Sequence, residues 1–141
     1  IFGQPLFRVF VMPHIHLEYS ANIENLDTKP ILLALNQALV DGAYVSSAND
    51  VKSRAICQQE YVIGLNDPTQ AYIHAKVSLL TGRSLDVQQQ ISKLLLKTLE
   101  QQLQKYAQFN LQICVEILEM QKNTYSKKVV TLNEQIGSVF I

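Results

Sequence analysis

The stretch Ala71-Tyr72-Ile73-His74-Ala75-Lys76-Val77-Ser78-Leu79-Leu80 decides the fold. Ile73, Ala75, Val77 and Leu79 recur at every second position, the pattern of a strand with one buried face. Thr81-Gly82-Arg83-Ser84 makes a sharp junction behind it. Ser84 is a good helix N-cap, and Asp86 suits the positive end of the helix that follows. From Leu85 onward, Ile91, Leu94, Leu95, Leu99, Leu103 and Tyr106 trace one apolar stripe, and the other face is Gln and Lys. Asn110 separates this helix from Leu111-Gln112-Ile113-Cys114-Val115-Glu116-Ile117-Leu118, which alternates again as a strand.

The same order occurs upstream. His14-Ile15-His16-Leu17-Glu18-Tyr19 reads as a strand, and Ser20, Asn22 and Asn25 mark a polar turn. Thr28 is the expected helix cap, with Lys29 and Pro30 in the first turn. Ile31, Leu32, Leu35, Leu39 and Val40 then follow at helical spacing, and Gly42 supplies a stop. A second extended stretch is expected within Val51 to Ile63, carried by Ile56, Tyr61, Val62 and Ile63, with a turn at Gly64 to Pro68. A short strand is expected at Val129-Val130-Thr131. The chain thus reads as two strand–helix–strand units, each long enough for a right-handed crossover between parallel strands. The expected class is α/β (α+β): one sheet with both helices on one face. An uncovered apolar face opposite them predicts oligomerisation. The two halves share a pattern but no clear residue-level repeat.

Composition narrows the function. The sequence has 141 residues, the size of one domain, and 48% of them are hydrophobic, enough for a real core. Lys plus Arg is 12 and Asp plus Glu is 12, so the formal net charge is 12 − 12 = 0. That argues against nucleic-acid binding through a broad basic surface, while a small anion needs only two or three local cations. Cys57 and Cys114 cannot form a disulfide framework or a four-thiolate metal site, and both are expected to be small core residues. Nothing approaches the roughly 20 apolar residues needed to cross a bilayer. No glycine-rich nucleotide-binding motif occurs. These features point to a single-domain cytoplasmic protein. Residues 1–11 are read as an extra segment from an upstream start or from cloning, with Met12 the natural initiator and 12–141 the domain; an N-terminal strand or arm is the alternative.

Met12-Pro13-His14-Ile15-His16-Leu17-Glu18-Tyr19-Ser20-Ala21-Asn22-Ile23 resembles the start of 5-carboxymethyl-2-hydroxymuconate isomerases, in the tautomerase superfamily. The likeness continues through Val51-Lys52-Ser53-Arg54-Ala55, Tyr72-Ile73-His74 and Gly82-Arg83-Ser84-Leu85, from residue 12 to about 120. The resemblance implies a duplicated β-α-β subunit assembled as a homotrimer. It implies that Pro13, exposed when the methionine leaves, is the catalytic base. The family's Arg-Ser-Arg run falls on Lys52-Ser53-Arg54, so a lysine stands for the first arginine. Lysine keeps the charge but loses the planar fork that grips a carboxylate at two points.

Proton transfer along a conjugated acid needs one base that can return the proton, and positive charge where the dienolate forms. A free α-amino group titrates at about 7.7–8.0, and an apolar pocket lowers that toward neutrality. An amide nitrogen has no such lone pair. Pro13 can therefore act only where the chain begins at it. Lys52, Arg54 and Arg83 are the candidates for carboxylate binding, against the alternative of solvated surface cations; Lys52 and Arg54 share one strand face. Arg83 could instead tie loops together. His14 flanks the base and is expected to shape its pocket. His14, His16 and His74 could in principle hold a metal, but core or interface histidines are favoured, and no metal or cofactor is called for. Glu18 is read as a structural carboxylate or a partner behind the site.

The expected function is isomerisation of a small unsaturated carboxylate from aromatic degradation. Two alternatives stay open. One is an inactive trimeric binding or structural protein, if Pro13 is not N-terminal. The other is a hydratase or dehalogenase of the same superfamily, which the lysine at 52 keeps open.

Overall fold

The computed structural model describes residues 12–106 and 108–132. The expectation for residues 1–11 lies outside them. Four strands and two helices appear in the order β1 (His14–Ser20), α1 (Thr28–Asp41), β2 (Lys52–Gln58), β3 (Gln70–Leu80), α2 (Leu85–Gln102) and β4 (Asn110–Met120). The sheet order is β2-β1-β3-β4. β1 and β2 are parallel, as are β3 and β4, and the two pairs meet antiparallel between β1 and β3. Each strand–helix–strand unit thus contributes one parallel pair.

The core lies between the sheet and the helices. Ile15 and Leu17 of β1, with Ile73, Ala75, Val77 and Leu79 of β3, face Ile31, Leu35 and Leu39 of α1 and Ile91, Leu95 and Leu99 of α2. All of these side chains are buried, each of the large ones contributing about 1.5–3 kcal/mol over its exposed state. The long strand β3, centred on Ala75, sits beside β1 in the middle of the sheet, so both helices pack over it.

Several local expectations need correction. The N-cap of α1 is Asp27, not Thr28: Asp27 keeps extended backbone while Thr28 is already helical, and the Asp27 side chain makes no capping bond. Gly42 ends α1 with an ordinary negative φ of −77°, and Ala43 takes the left-handed position at φ 59°. Glycine is needed at 42 for space, because a Cβ there would stand 2.6 Å from the Tyr44 ring. β2 stops at Gln58, and Tyr61–Ile63 form a loop in which Tyr61 meets the Tyr72 ring edge-on. The helical stripe extends beyond α2, with Leu103 as its C-cap and Tyr106 in a short 3-10 turn. Val129–Thr131 form no strand, and Val129 and Val130 are exposed.

Two corrections bear on function. The sheet face away from the helices is mostly polar, with Ile56 and Leu118 as exposed apolar residues on it. It carries His14, His16 and Glu18 on β1, Lys52 and Arg54 on β2, Tyr72, His74 and Lys76 on β3, and Gln112, Cys114 and Glu116 on β4. Cys114 is exposed there, while Cys57 is half-buried on the helix side against Tyr19. Cys114 is therefore not the core residue expected: it occupies one of the outward positions of the alternation in β4.

As expected, Ser84 caps α2, its side chain accepting the N–H of Val87 at 3.2 Å. Leu95→Ala is expected to lower the unfolding free energy by about 2–5 kcal/mol, and Ser84→Ala by about 1 kcal/mol. Urea titration of the two variants checks both values.

Candidate functional site

Pro13 is buried at the start of β1, and its carbonyl accepts the Lys52 N–H at 3.2 Å. From that bond the parallel register runs on, pairing His14 with Lys52 and His16 with Arg54. Ile15 and Leu17 take the core side, so His14 and His16 share the open face with Lys52 and Arg54. The register therefore sets the sequence-predicted residues His14, Lys52 and Arg54 beside Pro13 at one end of the sheet.

His14 is held on both ring nitrogens. The Arg54 guanidinium donates to His14 Nδ1 at 3.0 Å. A guanidinium can only donate, so Nδ1 must be the accepting nitrogen. The neutral ring then carries its proton on Nε2, which donates to the Tyr125 hydroxyl oxygen at 3.0 Å. The two rings also meet edge to face, with centroids 6.2 Å apart. Burial pulls the His14 pKa below 6.5, and the charges of Lys52, Arg54, His16 and Lys127 press it the same way. His16 is likewise lowered, by burial first and then by Arg54 and Lys76.

Lys52 donates from Nζ to the Asp50 carbonyl at 2.8 Å. Its pKa lies below 10.5 through burial and repulsion from Lys127 and Arg54, which the Asp50 carboxylate opposes. Lys127 reaches that carboxylate at 3.5 Å. Three cations, Lys52, Arg54 and Lys127, thus surround one carboxylate and one neutral histidine. A second carboxylate placed among them would relieve their mutual repulsion.

Arg83 stands at the same end of the sheet by a different route. The antiparallel register pairs His14 with Ser78, so the end of β3 lies beside the start of β1. Gly82, at φ 120°, turns the chain there, and the Arg83 carbonyl accepts from Gln88 Nε2 at 3.2 Å. Arg83 is half-buried and is not one of the charges bearing on His14.

Sequence reasoning missed Tyr125, Lys127 and Asp50. They lie in irregular segments without periodicity; the one available signal was an aromatic next to cations in Tyr125-Ser126-Lys127-Lys128. The other histidine and carboxylate candidates are engaged elsewhere. His74 pairs with Glu116 at 2.5 Å, and Glu18 accepts from the Tyr72 hydroxyl at 3.2 Å. Burial, then Glu18, raises the Tyr72 pKa. Among the described residues no three His, Cys, Asp or Glu side chains gather as a metal site. No helix among them is long and apolar enough to cross a membrane. A cavity of about 550 Å³ opens on the same face but around Glu18, Glu60, Tyr61, Tyr72 and Cys114, away from Pro13. Its charged groups are acidic and would repel a carboxylate, so the cation cluster is the better anion site.

A duplicated β-α-β subunit with a proline at the head of its first strand and cations beside it is a tautomerase-like arrangement. Comparison with known proteins agrees. The family model described as 5-carboxymethyl-2-hydroxymuconate isomerase matches residues 13–134, and the chain belongs to that family of isomerase enzymes. A solved 5-carboxymethyl-2-hydroxymuconate isomerase from Deinococcus radiodurans R1 is 26% identical, with TM-score 0.79 over 86% of this chain and 92% of that one. A 5-carboxymethyl-2-hydroxymuconate delta-isomerase shares the fold at 18% identity and TM-score 0.74, over 96% of this chain and 97% of its own. So does a macrophage migration inhibitory factor-like protein from Entamoeba histolytica, at 17% identity and TM-score 0.59, over 83% and 96%. No curated protein sequence matches.

The lowered His14 and His16 pKa values fix the sign of a pH effect. Below 6.5 the unfolded chain takes up protons that the folded histidines resist, so this contribution to stability is complete above pH 6.5 and is lost as pH falls through the folded values. The urea midpoint is expected to drop between pH 7 and pH 5, and to drop less in His14→Asn. Ring-proton NMR should place the His14 midpoint below 6.5.

Proposed function

We propose that the protein isomerises 5-carboxymethyl-2-hydroxymuconate or a closely related unsaturated carboxylate, with Pro13 as the proton-carrying base. The observation that carries this reading is the placement of Pro13 next to the Lys52–Arg54 pair, bonded to Lys52 through the backbone. Where the chain begins at Pro13, its ring nitrogen is a secondary amine in a buried, cation-rich setting. Both features disfavour the ammonium form, so the lone pair is available near neutral pH. It takes a proton from the enol or the carbon next to the carbonyl. The resulting dienolate is stabilised by nearby positive charge, and the same nitrogen returns the proton at the other end of the conjugated system. No proton is gained or lost over the cycle.

Lys52 and Arg54 bind the carboxylates in this scheme, His14 shapes the pocket, and Arg83 reaches the substrate from the turn after β3. The resemblance supports a homotrimer, working in the cytoplasm on acids from aromatic catabolism. Met12 adds a supporting detail. It holds φ at 35°, in the left-handed region that costs a non-glycine residue roughly 1–2 kcal/mol, and a chain that starts at Pro13 sheds that strain.

The test compares the 141-residue chain with one beginning at Pro13, following the ultraviolet absorbance of 5-carboxymethyl-2-hydroxymuconate. Turnover is expected only from the shorter chain. Pro13→Ala in that chain should reduce it at least a hundredfold. Equal turnover by both chains would remove Pro13 as the base.

A further inference from the structure

The segment after β4 crosses the end of the sheet in an ordered way. The Lys122 N–H donates to the Thr81 hydroxyl beyond β3, Tyr125 meets His14 on β1, and Lys127 meets Asp50 ahead of β2. Between Gln121 and Leu132 all residues are exposed except Tyr125, which is half-buried. The side chain that seats the segment therefore sits on the cation cluster.

Arg54 determines what Tyr125 can do. Because Arg54 donates to Nδ1, the neutral imidazole must donate from Nε2, and the Tyr125 oxygen is an acceptor in that bond. The phenol's own proton is then left to point at another acceptor. The cations acting on His14, its bonding partner, are Lys52 and Arg54 on β2 and Lys127, and the Asp50 carboxylate is already engaged by Lys127. We infer that Tyr125 is a further substrate-binding residue, donating its hydroxyl proton to a carboxylate oxygen of the anion held by Lys52 and Arg54, with His14 as the positioning residue that aims it. This rests on the anion site of the proposed function.

The experiment measures calorimetric binding of trans,trans-muconate, an unsaturated dicarboxylate without an enol hydroxyl, to the full chain and to Tyr125→Phe. Phenylalanine keeps the ring against His14 and removes only the hydroxyl. Affinity should fall about tenfold, with Tm unchanged, as expected for one hydrogen bond to a charged group. Replacing Tyr125 by 3-fluorotyrosine, a stronger donor, should tighten binding, and this readout does not require the Phe variant to fold. Muconate should also shift the His14 ring resonances, and in Tyr125→Phe about tenfold more muconate should be needed to reach half of that shift. Natural affinity in a folded Tyr125→Phe, or no response to fluorination, overturns the assignment. Failure of the natural chain to bind muconate overturns it together with the anion site. Muconate binding by the natural chain, with no turnover of 5-carboxymethyl-2-hydroxymuconate by the chain beginning at Pro13, removes the isomerase reading and leaves this one standing.

Discussion

The parallel pairing of β1 with β2 is the constraint on which everything else depends. One backbone bond, from the Lys52 N–H to the Pro13 carbonyl, starts that ladder. Once it forms, the period of two puts Ile15 and Leu17 in the core and sends His14, Lys52 and Arg54 to the other side. A slip by one residue would bury the cations and expose the core. The apolar pattern that folds the protein thereby also fixes where its charges gather.

That gathering is electrostatically costly, and the local structure shows how it is tolerated. Asp50 offsets part of the charge through its carbonyl to Lys52 and its carboxylate to Lys127. His14, its pKa lowered, accepts from Arg54 and so gives that guanidinium a neutral partner. What is left is a surplus of positive potential at a partly buried place, a condition that favours organic acids over neutral ligands.

Much of this was legible from the letters. The strand at 71–80 and the stripe through Ile91, Leu95 and Leu99 have clean periods, and both behave as read, as does the cap at Ser84. The Lys52–Arg54 pair was readable because two residues apart on a strand means one face. Tyr61–Ile63 misled because β-rich composition alone resembles a strand, and here the Tyr61 ring packs on Tyr72 from a loop. Thr28 misled because Asp27, one residue earlier, already holds the extended backbone a cap requires. Tyr125 and Lys127 had no period to betray them. Their position comes from a chain path across the ends of three strands, and a path of that kind leaves no local signature.

The ribbon that follows Met120 has a consequence for how such a molecule can change over time. Its described residues, 121–132, lend the Tyr125 ring and the Lys127 ammonium to the sheet end and contribute no side chain to the buried core between sheet and helices. Replacements along those residues can alter the charge and shape of the sheet end without disturbing the packing that keeps the domain folded. Surface character and foldedness are thus written in separate stretches of the polypeptide, so a lineage is free to vary the one at little risk to its scaffold.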